Sequence, residues 1–174
     1  ADLATLHIRQ KPGTDIALLN GIMHVLIEQD LYDKEYVAQR TEGLKEFKAK
    51  IADYTPERVA EICGVDAEQI VEAAQLLAAN RPTALLYAMG ITQHITGHQN
   101  VISCANLQML LGNVGMRGGG VNPLRGQNNV QGACDMGGLP NVYTAYQVVT
   151  LEASQKKFET AWGVPLSRQV GLTL

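Results

Sequence analysis

Residues 83–147 carry only three charged side chains, Arg117, Arg125 and Asp135, yet hold 13 Asn or Gln and 11 of the chain's 17 glycines. Residues 1–82 carry 23 charged side chains. Uncharged polar groups are costly to bury without partners, and glycine offers backbone but no apolar side chain. A core cannot be built from such material alone. The charge-poor half is therefore read as a surface covered by another part of a larger protein, or by a large polar ligand. The feature is most concentrated in "RGQNNVQGACDMG", residues 125–137.

The rest of the composition sets bounds. A chain of 174 residues, 46% hydrophobic with net charge -3, can fill one sizeable core or two small lobes. It is neither a disordered segment nor a basic nucleic-acid binder. Its apolar runs are too short to span a bilayer. The start "ADLATLHIRQ" lacks an initiator Met and the layout of a signal peptide, so the chain is read as an internal fragment. Cys63, Cys104 and Cys134 are far apart and odd in number. Free thiols in a reducing compartment are expected, with a cytoplasmic location and no metal site among them.

Periodicity suggests an α/β layered unit. "LATLHIR" (3–9) reads as a strand, and "DIALLNGIMHVLIEQD" (15–30) as a helix apolar nearly all round, buried on several sides and capped by Thr14 or Asp15. Two or three short charged helices follow between Lys34 and Cys63. Thr55, before Pro56, and Asp66 are N-cap candidates, and Asp66 starts a helix with Ile70, Val71, Ala74, Leu77 and Ala78 on one face. "TALLYAMG" (83–90) reads as a buried strand and "HQNVISCANLQMLLGN" (98–113) as an apolar helix. This order predicts parallel pairing, with residues 3–9 and 83–88 in one sheet. From Val114 to Tyr146 the periodicity mostly disappears, and a short helix returns over residues 153–163.

Amides pair a donor with an acceptor, the alternation found on purine and pterin edges. The segments "PGTD" and "MGITQ" are expected at the sheet edge where open α/β sheets bind nucleotides. From periodicity alone Asp15 is better read as an N-cap; its other reading is an acid for ribose hydroxyls or a guanine N–H edge. Arg125 is either paired with Asp135 or left for an anion. His94 and His98 have no acid nearby and are not expected to bind zinc. His24 is expected to be a satisfied core histidine, and "GMRGGG" (115–120) a flexible turn.

The run "RGQNNVQGACDMG" resembles the signature segment of the catalytic alpha subunit of molybdenum- or tungsten-dependent formate dehydrogenases, members of the dimethyl sulfoxide reductase, or molybdopterin oxidoreductase, family. "KPGTDIALLNGIMHVLIEQDLYD" and "MGITQ" resemble two further segments in the same order. The resemblance implies a Rossmann-like αβα arrangement with a parallel sheet over residues 1–121. Residues 122–174 would then form a cofactor-cleft segment and the start of the adjoining lobe. It also implies a bis-molybdopterin guanine dinucleotide carrying Mo or W, an iron–sulfur cluster upstream, formate as substrate, and as partners the remaining lobes and electron-transfer subunits. No nucleic acid and no membrane segment are implied. By motif, Gly13, Thr14 and Asp15 resemble the residues at the guanosine of one dinucleotide, and Met89, Gly90 and Gln93 resemble positions lining the same cofactor. Arg125 resembles the active-site arginine, with Gly126 and Gln127 beside it at the pterin. No metal ligand of the family lies in this sequence, so the isolated chain is expected to be inactive and free of cofactor. Another family member such as a nitrate reductase, or a noncatalytic nucleotide-binding or assembly module, are the alternatives.

Overall fold

The computed structural model describes residues 3–172, which divide into a first compact unit ending at Leu124 and a second beginning at Arg125. The first unit is built around α1 (Asp15–Glu28). Because this helix is apolar nearly all round, it has to be covered on several sides. It packs against α3 (Leu44–Ile51), α4 (Pro56–Cys63), α5 (Ala67–Ala79) and α7 (Gly97–Leu110). Met23, Leu26, Val59, Ile70 and Ala74 form the fully buried centre of that core. The charged helices are three, α2 (Lys34–Arg40) preceding α3 and α4. Thr55 caps α4 by accepting a hydrogen bond from the Arg58 amide at 3.4 Å. Asp66 occupies the cap position of α5 without making the side-chain bond. His24 is satisfied, its Nδ1 lying 3.2 Å from the Ile51 carbonyl.

The sheet differs from expectation. Strand β1 (Ala84–Tyr87) lies inside the predicted span, and it pairs in parallel with β2 (Gly120–Pro123), in register Ala84 with Gly120 through Tyr87 with Pro123. Residues 3–9 form no strand. They run beside the helices with Leu6 and Ile8 packed on the core, so the alternation in their sequence comes from an irregular segment with one side lying on helices. The real partner, "GVNP", was hidden because Gly, Asn and Pro are poor strand formers. The α/β class holds, and the parallel connection from β1 to β2 passes through the short α6 (Met89–Thr92) and α7.

The second unit contains α8 (Val130–Asp135), the hairpin of β3 (Val142–Tyr143) with β4 (Gln147–Val148), and α9 (Glu152–Trp162). Its small core joins Val142, Val149 and Phe158 to a tilted aromatic contact between Tyr143 and Phe158, whose ring centroids are 4.8 Å apart. Among the described residues no helix is long and apolar enough to cross a membrane.

Several amides of the charge-poor half serve the fold itself. Asn100, Gln108 and Asn113 are buried. Asn100 donates to the Ile91 carbonyl at 2.8 Å, tying α6 to α7, and Asn113 donates to Thr83 Oγ1 at 2.8 Å. The α6–α7 turn also requires Gly97, where a Cβ would sit 2.0 Å from the Thr92 carbonyl oxygen. Gly97→Ala is expected to destabilise the chain by about 1–3 kcal/mol, the usual range for forced overpacking. Each kcal/mol should lower the melting temperature by roughly 2–4 °C. An unchanged thermal melt would show that this turn is not rigid.

Candidate functional site

In the first unit Asp15 is the first residue of α1, and Thr14 is its N-cap. Neither side chain caps the helix. The Thr14 hydroxyl donates back to the Lys11 carbonyl at 2.7 Å. Asp15 is 9% exposed, and its carboxylate accepts from Gln10 Nε2 at 3.1 Å. The N-cap reading of Asp15 is therefore corrected: the acid turns inward, where the N-terminal end of the helix dipole favours its charge. It lines a cavity of about 190 Å³ with Gln10, Leu85, Tyr87, Ile91 and Cys104. Burial, and next the charge of Asp15, push the Cys104 thiol upward in pKa. That thiol is a packing group here, since the nucleophilic thiolate is disfavoured.

The edge at the C-terminal end of β1 thus receives Gln10 from an irregular segment and Asp15 from the first turn of α1, although no strand leads into "PGTD". Met89, Gly90 and Gln93 follow β1 directly and are exposed, with Gln93 Nε2 3.2 Å from Met89 Sδ. His94 Nε2 lies 2.8 Å from the Gly90 carbonyl. Among the described residues no group of three His, Cys, Asp or Glu is placed to hold a metal ion.

Arg125, Gly126 and Gln127 lie in the second unit and are exposed. No Arg125–Asp135 ion pair within 4.0 Å exists among the described residues. A neutral amide stands between them. Arg125 Nη2 donates to Gln131 Oε1 at 3.2 Å, and Gln131 Nε2 lies 3.5 Å from Asp135 Oδ1. Gln131 and Asp135 share one face of α8 because they are four residues apart. The same Oδ1 accepts from the Tyr146 hydroxyl at 2.8 Å.

Tyr146 reaches Asp135 from the turn of the hairpin. Ala145 and Tyr146 both adopt left-handed backbone, with φ of 58° and 59°. Tight hairpins favour this conformation, but usually with Asn or Gly. A side chain there costs roughly 1–2 kcal/mol per residue. The turn is held on the end of α8 by the Thr144 hydroxyl, which donates to the Met136 carbonyl at 3.1 Å. Gly137 permits this approach, since a Cβ there would lie 2.8 Å from the Thr144 nitrogen. Gln131 and Tyr146 were missed in the sequence. The four-residue spacing from Asp135 marks Gln131 once α8 is known, but Tyr146 is brought in only by the turn.

The glycines sort into two kinds. A Cβ at Gly97, Gly119 or Gly137 would strike backbone within 2.8 Å, so these serve close packing. At Gly13, Gly90 and Gly126 a Cβ would meet nothing within 4 Å. Gly13, with φ +82°, is required by its backbone conformation. Gly90 and Gly126 have no such requirement, and they leave open backbone beside the residues that the formate dehydrogenase resemblance assigns to the cofactor. A flat ligand can approach such positions closely. In the first unit the inward carboxylate of Asp15 lies at a cavity and offers an acceptor there.

Comparison with known proteins gives the family of the chain. The family model described as "Molybdopterin oxidoreductase" matches residues 1–166. The F420-dependent formate dehydrogenase 1 subunit alpha of Methanococcus maripaludis is 50% identical over 174 residues, covering 100% of this chain and 26% of that protein. Formate dehydrogenase H of Escherichia coli is 51% identical over 164 residues, covering 94% of this chain and 23% of that protein. Among solved structures, the acetylene hydratase from Pelobacter acetylenicus superimposes with a TM-score of 0.61 at 31% identity, over 66% of this chain and 16% of that one. The chain thus spans about a quarter of the length of the curated relatives it matches. With the match running from residue 1 to residue 166 and the parallel β1–β2 unit beneath it, this chain belongs to the molybdopterin oxidoreductase family.

Proposed function

We propose that this chain is part of a formate dehydrogenase catalytic subunit, with Asp15 at a guanine dinucleotide and Arg125 at the substrate. The observation that carries the reading is the state of Arg125. Its guanidinium, in a region almost without charge, meets a neutral amide and no carboxylate within ion-pair distance among the described residues. That leaves positive charge and a donor edge for an anion. Formate is a small carboxylate, and a planar fork of N–H donors matches its two oxygens. A fixed guanidinium also offsets the cost of bringing that anion into a water-poor site.

In this reading residues 1–121 are the nucleotide-binding lobe, and residues 122–174 are the cleft segment leading to the adjoining lobe. Asp15 accepts from the N–H edge of guanine or from ribose hydroxyls, with Gly13 and Thr14 shaping the turn before it. Met89, Gly90 and Gln93 line the same cofactor, and Gly126 and Gln127 lie at the pterin. A bound bis-molybdopterin guanine dinucleotide with Mo or W would supply the two-electron acceptor for conversion of formate to CO2 and a proton. The chain's own contribution is to hold formate with its C–H presented, to orient the dinucleotide, and to exclude water. On this reading the remaining lobes of the subunit, an iron–sulfur cluster and electron-transfer subunits belong to the rest of the enzyme, for which a cytoplasmic location is proposed. The chain alone is expected to be inactive.

The test is expression of the full-length open reading frame containing this chain, with metal analysis and formate-dependent reduction of a viologen dye. Stoichiometric Mo or W with formate turnover is expected. Nitrate reduction without formate oxidation would replace this reading with a nitrate reductase. A protein holding neither metal would point to a noncatalytic module.

A further inference from the structure

We infer that Tyr146 is a positioning residue for the substrate arginine, acting through Asp135 and Gln131 to set the orientation of the Arg125 guanidinium. The inference rests on the reading of Arg125 as the formate anchor. Its own support is the direction of each hydrogen bond in the chain. Tyr146 donates to Asp135 Oδ1 at 2.8 Å, and Gln131 turns its amide nitrogen toward the same oxygen at 3.5 Å. The single amide orientation that does this leaves Gln131 Oε1 facing Arg125 Nη2, at 3.2 Å. Reversing the amide would set a carbonyl against a carboxylate and an NH2 against a guanidinium, breaking both hydrogen bonds. Asp135 thereby fixes which atom of Gln131 Arg125 meets, and Tyr146 fixes Asp135.

The backbone gives an independent reason to regard Tyr146 as placed for a purpose. Ala145 and Tyr146 hold a strained left-handed turn that Asn or Gly would adopt at lower cost, and observed strain of this kind is a reason to look for a role. The Thr144 bond to Met136 and the close approach at Gly137 hold the turn against α8, so the hydroxyl is delivered by a docked segment. By accepting its hydrogen bond, the Asp135 carboxylate holds the Tyr146 phenol above its ordinary pKa range. Gln131 occupies one nitrogen of Arg125, and no other partner of that side chain exists among the described residues. A guanidinium gripped on one nitrogen keeps another edge free for a carboxylate. The network therefore orients the fork without neutralising it, which a direct Asp135 pair would have done.

The experiment uses the full-length enzyme with Tyr146→Phe, Arg125→Ala and the double variant, measured with formate. Tyr146→Phe should raise the KM for formate roughly three- to tenfold while kcat changes less than twofold, with metal and dinucleotide content as in the parent. In the Arg125→Ala background Tyr146→Phe should cost nothing further, because its target is gone. Crystal structures should show the Arg125–Gln131 hydrogen bond intact in the parent enzyme and broken in Tyr146→Phe. A parental KM in Tyr146→Phe, an equal loss in both backgrounds, or an unmoved guanidinium would overturn the positioning role while leaving the formate reading intact. A parent enzyme that does not turn over formate, or whose Arg125→Ala variant keeps the parental KM, would overturn the formate reading and this inference with it.

Discussion

Arg125→Ala in the full-length enzyme is expected to lower kcat/KM for formate at least ten- to hundredfold while metal and dinucleotide content stay near normal. Loss of a hydrogen bond to a charged group costs about 1.5–3 kcal/mol, which is that range of fold-change. Any strengthening of the contact in the transition state adds to it. Arg125→Lys should recover only part, since an ammonium restores charge but not the planar fork. The competing account, in which Arg125 only pins a loop through Asp135, makes a different prediction. It requires Asp135→Asn to be as damaging as Arg125→Ala, with both lowering the melting temperature and cofactor retention. The structure places Gln131 between the two charges, so Asp135→Asn is expected to cost less than Arg125→Ala. Formate kinetics, bound metal and thermal melts on the three variants separate the accounts. Near-parental kinetics for Arg125→Ala with metal intact would end the substrate assignment.

How far the sequence carried depends on which interactions are local. Helices α1, α5 and α7 declare themselves through long apolar patterns, and the cap of α4 through Thr55 followed by Pro56. The pairing of β1 with β2 does not, because it joins residues 36 apart in the register Ala84 with Gly120. The segment "GVNP" gains strand geometry only from that partner. The opposite error, over residues 3–9, has the same root: alternating burial identifies a segment with one covered side, not the ladder that makes it a strand. At the candidate site, the charge-poor composition singles out Arg125 and Asp135, together with Arg117, as exceptions. It could not place a neutral amide between them, since Gln131 is one of many amides nearby. Nor could it separate amides that serve the fold, such as Asn100 and Asn113, from those left exposed in residues 127–131. That division is tertiary, and it narrows the surface needing a cover to the loop and α8 around Arg125 and the edge around Gly90.

The guanine assignment of Asp15 carries the other large expected effect. Asp15→Asn keeps an acceptor for Gln10 Nε2 but removes the charge and one of the two equivalent oxygens. A guanine edge with two N–H donors is matched by a carboxylate and only half matched by an amide. The dinucleotide should then bind roughly ten- to hundredfold more weakly, from the same 1.5–3 kcal/mol for a charged hydrogen bond. Occupancy of the full-length enzyme should fall accordingly, measured as guanine dinucleotide released per protein. Turnover with formate per bound metal should stay near the parental value, because the proposed assignment has Asp15 act on the nucleotide and not on the reacting carboxylate. A purely structural role makes a smaller and different prediction. An acid in the first turn of α1 stabilises the helix dipole by about 0.3–1 kcal/mol, up to about 2 when partly buried. Asp15→Asn would then lower the melting temperature by a few degrees with occupancy unchanged. Loss of kcat per metal at full occupancy would contradict both accounts and place Asp15 at the reacting centre. Asp15→Glu adds one methylene within the cavity of about 190 Å³ lined by Leu85, Tyr87 and Ile91. It preserves charge but displaces the oxygens, so it should lose occupancy with little change in melting temperature. That separation between a charge that must be present and a charge that must be in register is what a nucleotide-binding acid requires and a helix-dipole acid does not.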